Sequence, residues 1–314
     1  MNWVKKHLEE NFIITSLIAL VLLFSIITPN FFSLTTLSTV LNQLPALTVI
    51  TVGMTLVLIV GGIDLSVGSI LGLSAAIVGA ASISLGLPIW AACLLGITAG
   101  ALCGAVNGII TSYFALPSFI VTLGMLEIAR GLAYTTTASQ TLYIGPQIQS
   151  IAFPMASSGV SVALIIAICI VAGAHYLLTR TIFGRYITAI GTNETAARLS
   201  GIETKPYRAI VLMISGAMAG LGGVFSAAYL GASDPNAGLG LELSAIAAAV
   251  IGGTSLMGGR GSVIGAFLGV LIIAVLQNGL AQIGATEPTK RLITGSVIII
   301  AVLFDRWRSK HSSE

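Results

Sequence analysis

Apolar stretches of about 20 residues, the length that crosses a hydrocarbon layer of roughly 30 Å, follow one another along this chain with no soluble segment between them. Charged side chains supply only 8% of the residues, against roughly a quarter in a soluble domain, and the mean hydropathy is +1.02. This pattern predicts an all-α polytopic membrane protein in which residues 1–314 form a single transmembrane domain surrounded by membrane lipids. A net charge of +3, with the basic residues tied to span ends, argues against nucleic acid as a partner. Cys93, Cys103 and Cys169 sit in apolar runs without paired spacing and read as free thiols.

About ten spans of this length fit the chain. The first covers Phe12 to Thr28 and, lacking a small-x-small cleavage site after it, reads as a retained span and not a signal peptide. Leu34 to Asn42 reads as an interfacial helix or a lead into a second span over Gln43 to Val60. Glycines around Asp64 interrupt the pattern before span 3, and spans 4 to 7 end near Ile110, Tyr134, Leu178 and Leu230. Span 8 is short, Leu241 to Ile251, and spans 9 and 10 close near Ile283 and Asp305. With both termini cytoplasmic, this count puts Lys5, Lys6, Arg180, Arg185, Arg198, Lys205, Arg208, Arg260, Arg306, Arg308 and Lys310 on the cytoplasmic side, as the positive-inside rule asks. Lys290 and Arg291 fall outside, and Arg130 falls within span 5. Residues 252–265 echo residues 61–72, with Gly-Gly-x-x-Leu in both. A duplication and chance among small residues both account for this.

Seven of the chain's charges crowd into Arg180 to Arg208. There Asn193 is an N-cap type, Glu194 stands in a first helical turn, and Gly201 is placed to end the helix. A helix this short is marginal alone in water, so it packs on something or is gripped by a partner.

No constellation looks catalytic. Gly253 to Gly258 has the gap of a phosphate-binding loop, but Gly259, Arg260 and Gly261 replace its Lys and hydroxyl residue, so no ATP site is expected. His7, His175 and His311 lack metal spacing, and neither a metal nor another cofactor is expected. A carboxylate between apolar runs costs roughly 3 kcal/mol unless it faces protein or water, which singles out Asp64 as a pathway residue or a cap for span 3. Glu127 and Arg130, three apart, share a helical face where they would neutralise each other as a structural ion pair or line the path. Asn107, Gln277, Asn278 and Gln282 offer neutral hydrogen bonding, suited to a polyhydroxylated solute or to interhelical bonds.

Three stretches together resemble the permease subunits of bacterial ABC importers for monosaccharides, of the ribose-permease type. They are Val52 to Leu56 with Gly62 to Ser69; Gly184-Arg185-Tyr186 with Asn193-Glu194 and Ala197 to Ile202; and Ala247 to Leu256 with Gly258-Gly259 and Asn278-Gly279-Leu280. The resemblance implies a type II importer bundle in the bacterial inner membrane, dimeric with itself or a paralogue, docked on a separate ATPase and fed by a periplasmic binding protein. It implies that loop 180–208 is the coupling element, with Arg185, Asn193, Glu194, Arg198, Leu199 and Gly201 meeting the ATPase. Asp64, Asn107, Glu127, Arg130 and Asn278 are then the pathway candidates, and Asp234, Lys290 and Arg291 the candidates for docking the binding protein. For Lys290 and Arg291 the plainer reading is snorkelling anchors. The rival from another class is an ion- or proton-coupled secondary transporter using Asp64 and the Glu127 to Arg130 pair.

Overall fold

The computed structural model describes the backbone of residues 2–28, 31–155 and 159–310. The side chains of Lys5, Lys6, His7, Arg306, Arg308 and Lys310, and all of His311, lie outside the described residues. Among the described residues the chain forms thirteen helices and one two-stranded ribbon. The helices are α1 (Asn2–Ile27), α2 (Leu34–Ile59), α3 (Val67–Ile83), α4 (Ile89–Tyr113), α5 (Ser118–Thr137), α6 (Pro146–Gln149), α7 (Val162–Arg180), α8 (Ile182–Thr192), α9 (Glu194–Leu199), α10 (Thr204–Leu230), α11 (Leu241–Ile251), α12 (Val263–Gln282) and α13 (Glu287–Lys310). The ribbon pairs β1 (Leu142–Tyr143) antiparallel with β2 (Ala232–Ser233).

Five helices, α2, α4, α7, α10 and α12, are long and apolar enough to cross a membrane; residues Ile13–Ile27 of α1, together with α3 and α11, are apolar but shorter. The protein is therefore an all-α membrane protein built around α2. Ser33 caps α2 by accepting the Thr36 N–H at 3.1 Å, so residues 34–42 and span 2 form one continuous helix and not two elements. Val49, Ile50, Met54, Val57 and Leu58 are completely buried, because α7, α10, α11 and α12 surround α2.

Glycine sets the tightest crossing, between α4 and α10. A Cβ on Gly104 would stand 2.9 Å from the Gly216 Cα, and one on Gly100 would stand 2.8 Å from the Gly220 Cα. Two backbones this close gain dispersion contacts that replace the hydrophobic drive missing in lipid.

Two stretches of irregular backbone interrupt the bundle. The first, 61–66, separates α2 from α3. The second, 231–240, leaves α10 and runs back along α3, where it meets Gly79, Gly72 and Gly68 through Ser233, Ala237 and Gly238 in turn. Only after that return does α11 begin, which explains why this span is short.

The charged segment 180–208 is more regular than a loop. It contains α8, unanticipated from sequence, which turns Gly184, Ile187 and Ile190 inward and is held on α10 by Tyr207, packed against Phe183 and Tyr186 at ring separations of 5.7 and 5.2 Å.

Candidate functional site

Helix α9 is closed at both ends by the expected residues. The Asn193 Oδ1 accepts the Ala196 N–H at 3.0 Å. At the other end Gly201 takes φ +85°, its N–H reaches the Arg198 carbonyl at 3.0 Å, and the Ile202 N–H reaches the Ala197 carbonyl at 3.1 Å, the paired closure that a left-handed residue permits. Glu194 ties the helix down: it accepts from Arg208 at 2.7 Å, Thr204 at 3.0 Å and Arg198 at 3.4 Å. Both Arg208 and Thr204 belong to α10, so a six-residue helix that would fray alone moves with a long one. Its other face is open: Leu199 is 85% exposed, and Arg185 and Arg198 are also exposed.

Behind this face three glycine-bearing segments meet. Gly191 near the end of α8 lies against the Ile59 carbonyl that ends α2, and that carbonyl accepts the Gly259 N–H at 2.9 Å. Gly61 and Gly258 complete the junction. The two echoing segments, 61–72 and 252–265, thus approach each other where the charged segment touches the bundle.

Asp64 lies three residues beyond Gly61 and is fully buried. Its Oδ1 accepts the Ser66 N–H at 3.0 Å and the Ser66 hydroxyl at 2.6 Å, and its Oδ2 accepts the Ser215 hydroxyl of α10 at 2.8 Å. Asn107 of α4 donates to the Ser66 Oγ at 3.0 Å, leaving its own Oδ1 without a partner. Asp64 therefore binds the start of α3 to α10 and, through Ser66, to α4. As a cap it satisfies one amide, that of Ser66.

Helix α5 supports both irregular stretches. Near its start Ser118 accepts the Ile63 N–H at 2.9 Å and Thr122 accepts the Leu65 N–H at 3.1 Å. Farther along, Arg130 donates from Nη1 to the carbonyls of Pro235 at 2.5 Å and Ala237 at 3.0 Å, and Tyr134 donates to Asn236 at 2.9 Å. Backbone groups in a membrane interior have no water to bind, so these side chains supply what a helix would supply internally.

The expected ion pair between Glu127 and Arg130 does not form. The two residues lie about 60° apart around the helix, and the boundary between its packed and open faces runs between them. Arg130 is buried against the 235–237 carbonyls, while Glu127 is exposed. The pathway candidates accordingly separate: Asp64 and Asn107 share one network, Arg130 serves the second irregular stretch, and Glu127 faces outward. Asn278 lies elsewhere on α12, where its Oδ1 accepts from Gln282 at 3.3 Å while Gln282 also donates to Thr36 of α2 at 3.0 Å. That is the interhelical use.

Of the docking candidates, Asp234 is occupied within its own turn, accepting the Asn236 N–H at 2.8 Å. Lys290 pairs with Glu287 at 2.7 Å, and the exposed Arg291 extends toward Gly240.

Sequence reasoning passed over Glu242, in the first turn of α11, whose carboxylate fills the space that a side chain on Gly68 would need. The desolvation argument that singled out Asp64 applies equally to Glu242 and would have found it. Replacing Gly68 by Ala is expected to displace Glu242 and the Gly238 carbonyl together, lowering the thermal midpoint of the purified protein by several degrees for roughly 1–3 kcal/mol of overpacking. An unchanged midpoint would show that this contact is slack.

A helical membrane bundle with two internally satisfied breaks and a rigid charged lever at one end is the architecture of a transport subunit. A family model described as the permease component of branched-chain amino acid transport systems matches residues 36–302, and the chain belongs to that family. It is 37% identical to the ribose import permease protein RbsC of Escherichia coli K12 over 96% of this chain and 95% of that protein. It is also 36% identical to the D-allose transport system permease protein AlsC of the same organism, over 93% and 90%, and 34% identical to the fructose import permease protein FrcC of Rhizobium meliloti, over 90% and 80%.

Proposed function

We propose that this chain is the transmembrane subunit of an ATP-driven importer in a bacterial inner membrane, moving a monosaccharide or similar polyol delivered by a periplasmic binding protein. The observation that carries this reading is the likeness to ribose, allose and fructose permeases along nearly the whole chain. In this reading α1 to α5, α7 and α10 to α13 provide ten spans, both termini are cytoplasmic, and α8 and α9 face the cytoplasm. The exposed Leu199, flanked by Arg198 and held by capped ends, suits insertion into a groove of a separate ATPase.

Glu127 supports a dimer. An exposed carboxylate on a face of α5 that also exposes Ile120, Leu123 and Ile128 is costly in lipid, so a second permease copy or paralogue and the water-filled path between them cover it. The β1–β2 ribbon, with Tyr143 at 81% exposure, and the nearby Asp234, Lys290 and Arg291 lie at the end away from α9, where the binding protein docks. Ion coupling through Asp64 gains no support, because that carboxylate is sealed from water and satisfied by two serines.

In vesicles carrying the permease, its ATPase and the loaded binding protein, uptake should require ATP. Uptake driven by an ion gradient without nucleotide would overturn the reading. Replacing Glu194 and Arg198 together by Ala removes the ties of α9 to Arg208 and Thr204, and uptake per ATP hydrolysed should fall about tenfold for the ~1.5–3 kcal/mol of charged hydrogen bonds lost. An intact complex with normal coupling would mean that α9 is not the lever.

A further inference from the structure

A cavity of about 190 Å³ lies within one subunit, away from α9, between α2, α10, α11 and α12. At ~30 Å³ per water it holds about six waters, the space of a small ring-shaped solute and too little for a nucleotide. Gln43 and Asn42 of α2, Ser226 and Tyr229 of α10 and Gln277 of α12 line it, along with the buried aromatic Phe225.

Asn42 is engaged elsewhere, donating to Ser38 and accepting the Ser161 N–H. The others retain capacity. Gln43 donates to the Tyr229 oxygen at 2.9 Å, which leaves the Gln43 Oε1 as an acceptor and the Tyr229 hydroxyl hydrogen as a donor. Among the described residues Ser226 and Gln277 make no side-chain hydrogen bond, so each offers both a donor and an acceptor. No charged side chain lines the cavity.

We infer that this cavity is a solute subsite of each permease subunit, built for an uncharged polyol and against a zwitterionic amino acid. The inference rests on the import reading above and assigns its substrate class. A sugar presents hydroxyls that donate and accept alternately, matching Gln43, Tyr229, Ser226 and Gln277, and a C–H face that lies against Phe225. An amino acid would bury an ammonium and a carboxylate without counter-charges, which a site of this size cannot offset. The family description names branched-chain amino acids, so the distinction has consequence.

The test introduces one thiol, Ser226→Cys, into a variant with Cys93, Cys103 and Cys169 replaced by Ala. The purified permease is labelled with a small water-soluble methanethiosulfonate in the presence of excess D-ribose, D-allose, D-fructose or L-leucine. The thiol should react, at least one sugar should slow the reaction severalfold, and L-leucine should leave it unchanged. Adding Gln277→Leu or Tyr229→Phe should weaken that protection about tenfold through the unpaired hydroxyl left on the sugar. A thiol that does not react, protection by no sugar, equal protection by L-leucine, or protection indifferent to both substitutions would each overturn the subsite. Uptake by the wild-type complex separates the two claims. ATP-dependent sugar import without protection removes the subsite alone, whereas protection without ATP-dependent import removes the importer reading and leaves the subsite standing.

Discussion

Substituting Ala for Gly191 is expected to abolish coupled uptake while leaving the permease in the membrane. The added methyl would land on the Ile59 carbonyl oxygen and crowd the Gly259 N–H that this oxygen accepts. Both obstacles are backbone, so no rotamer change relieves them. Overpacking of this kind costs about 1–3 kcal/mol or more, and α8 must shift away from α2 and the 252–262 segment. Motion delivered to α9 would then reach the bundle through a displaced contact, or not at all, and ATP hydrolysis by the assembled complex should continue without transport. The check is the ratio of solute imported to ATP hydrolysed in proteoliposomes, with Gly201→Ala in parallel as a control that strains the end of α9 by its positive φ but meets no neighbouring atom. A normal ratio in Gly191→Ala would mean that force does not pass through this junction.

Replacing Arg130 by Met should destabilise the protein more than any single change on the open face of α5. The guanidinium binds two backbone carbonyls of the 231–240 stretch. Removing it leaves both acceptors buried and unpaired, at about 1–3 kcal/mol each, with no water at hand. Several degrees of thermal midpoint and much of the expressed, monodisperse protein should be lost. Lys in its place retains the charge but reaches two carbonyls poorly, and should recover only part. Glu127→Gln separates the alternatives. If the two residues formed a stabilising pair, neutralising Glu127 would mimic Arg130→Met, whereas the observed geometry predicts no change in stability. Fluorescence-detected thermal unfolding in detergent measures all three, and a wild-type midpoint for Arg130→Met would refute the supporting role.

Much of the charged segment was legible in advance because capping is local chemistry. Asn193 and Gly201 lie within nine residues of each other, and their conformational preferences need no partner. The apolar runs were legible for a similar reason, since a desolvation length depends on composition alone. Asp64 stood out by the same cost argument, and Glu242 was overlooked only because it was not applied there. Helix α8 was missed because its apolar positions, Ile187 and Ile190, are interleaved with Arg185, Thr188 and Thr192 in a window that reads as a loop.

The sequence by itself determined that this chain lives in a membrane, where its polar breaks fall, and which short helix stands ready for a partner. Each of these follows from the cost of placing a group in hydrocarbon or from the geometry of a few consecutive residues. Only the tertiary structure decided what the polar groups bind. Asp64 meets Ser215 across 151 positions and Arg130 meets Pro235 across 105. The i, i+3 spacing that suggested Glu127 as Arg130's partner identifies neighbours on a helix, not the face that will be buried. Once the 231–240 backbone was brought against α3 and α5, its unsatisfied carbonyls lay on the packed side with Arg130, and the carboxylate of Glu127 did not.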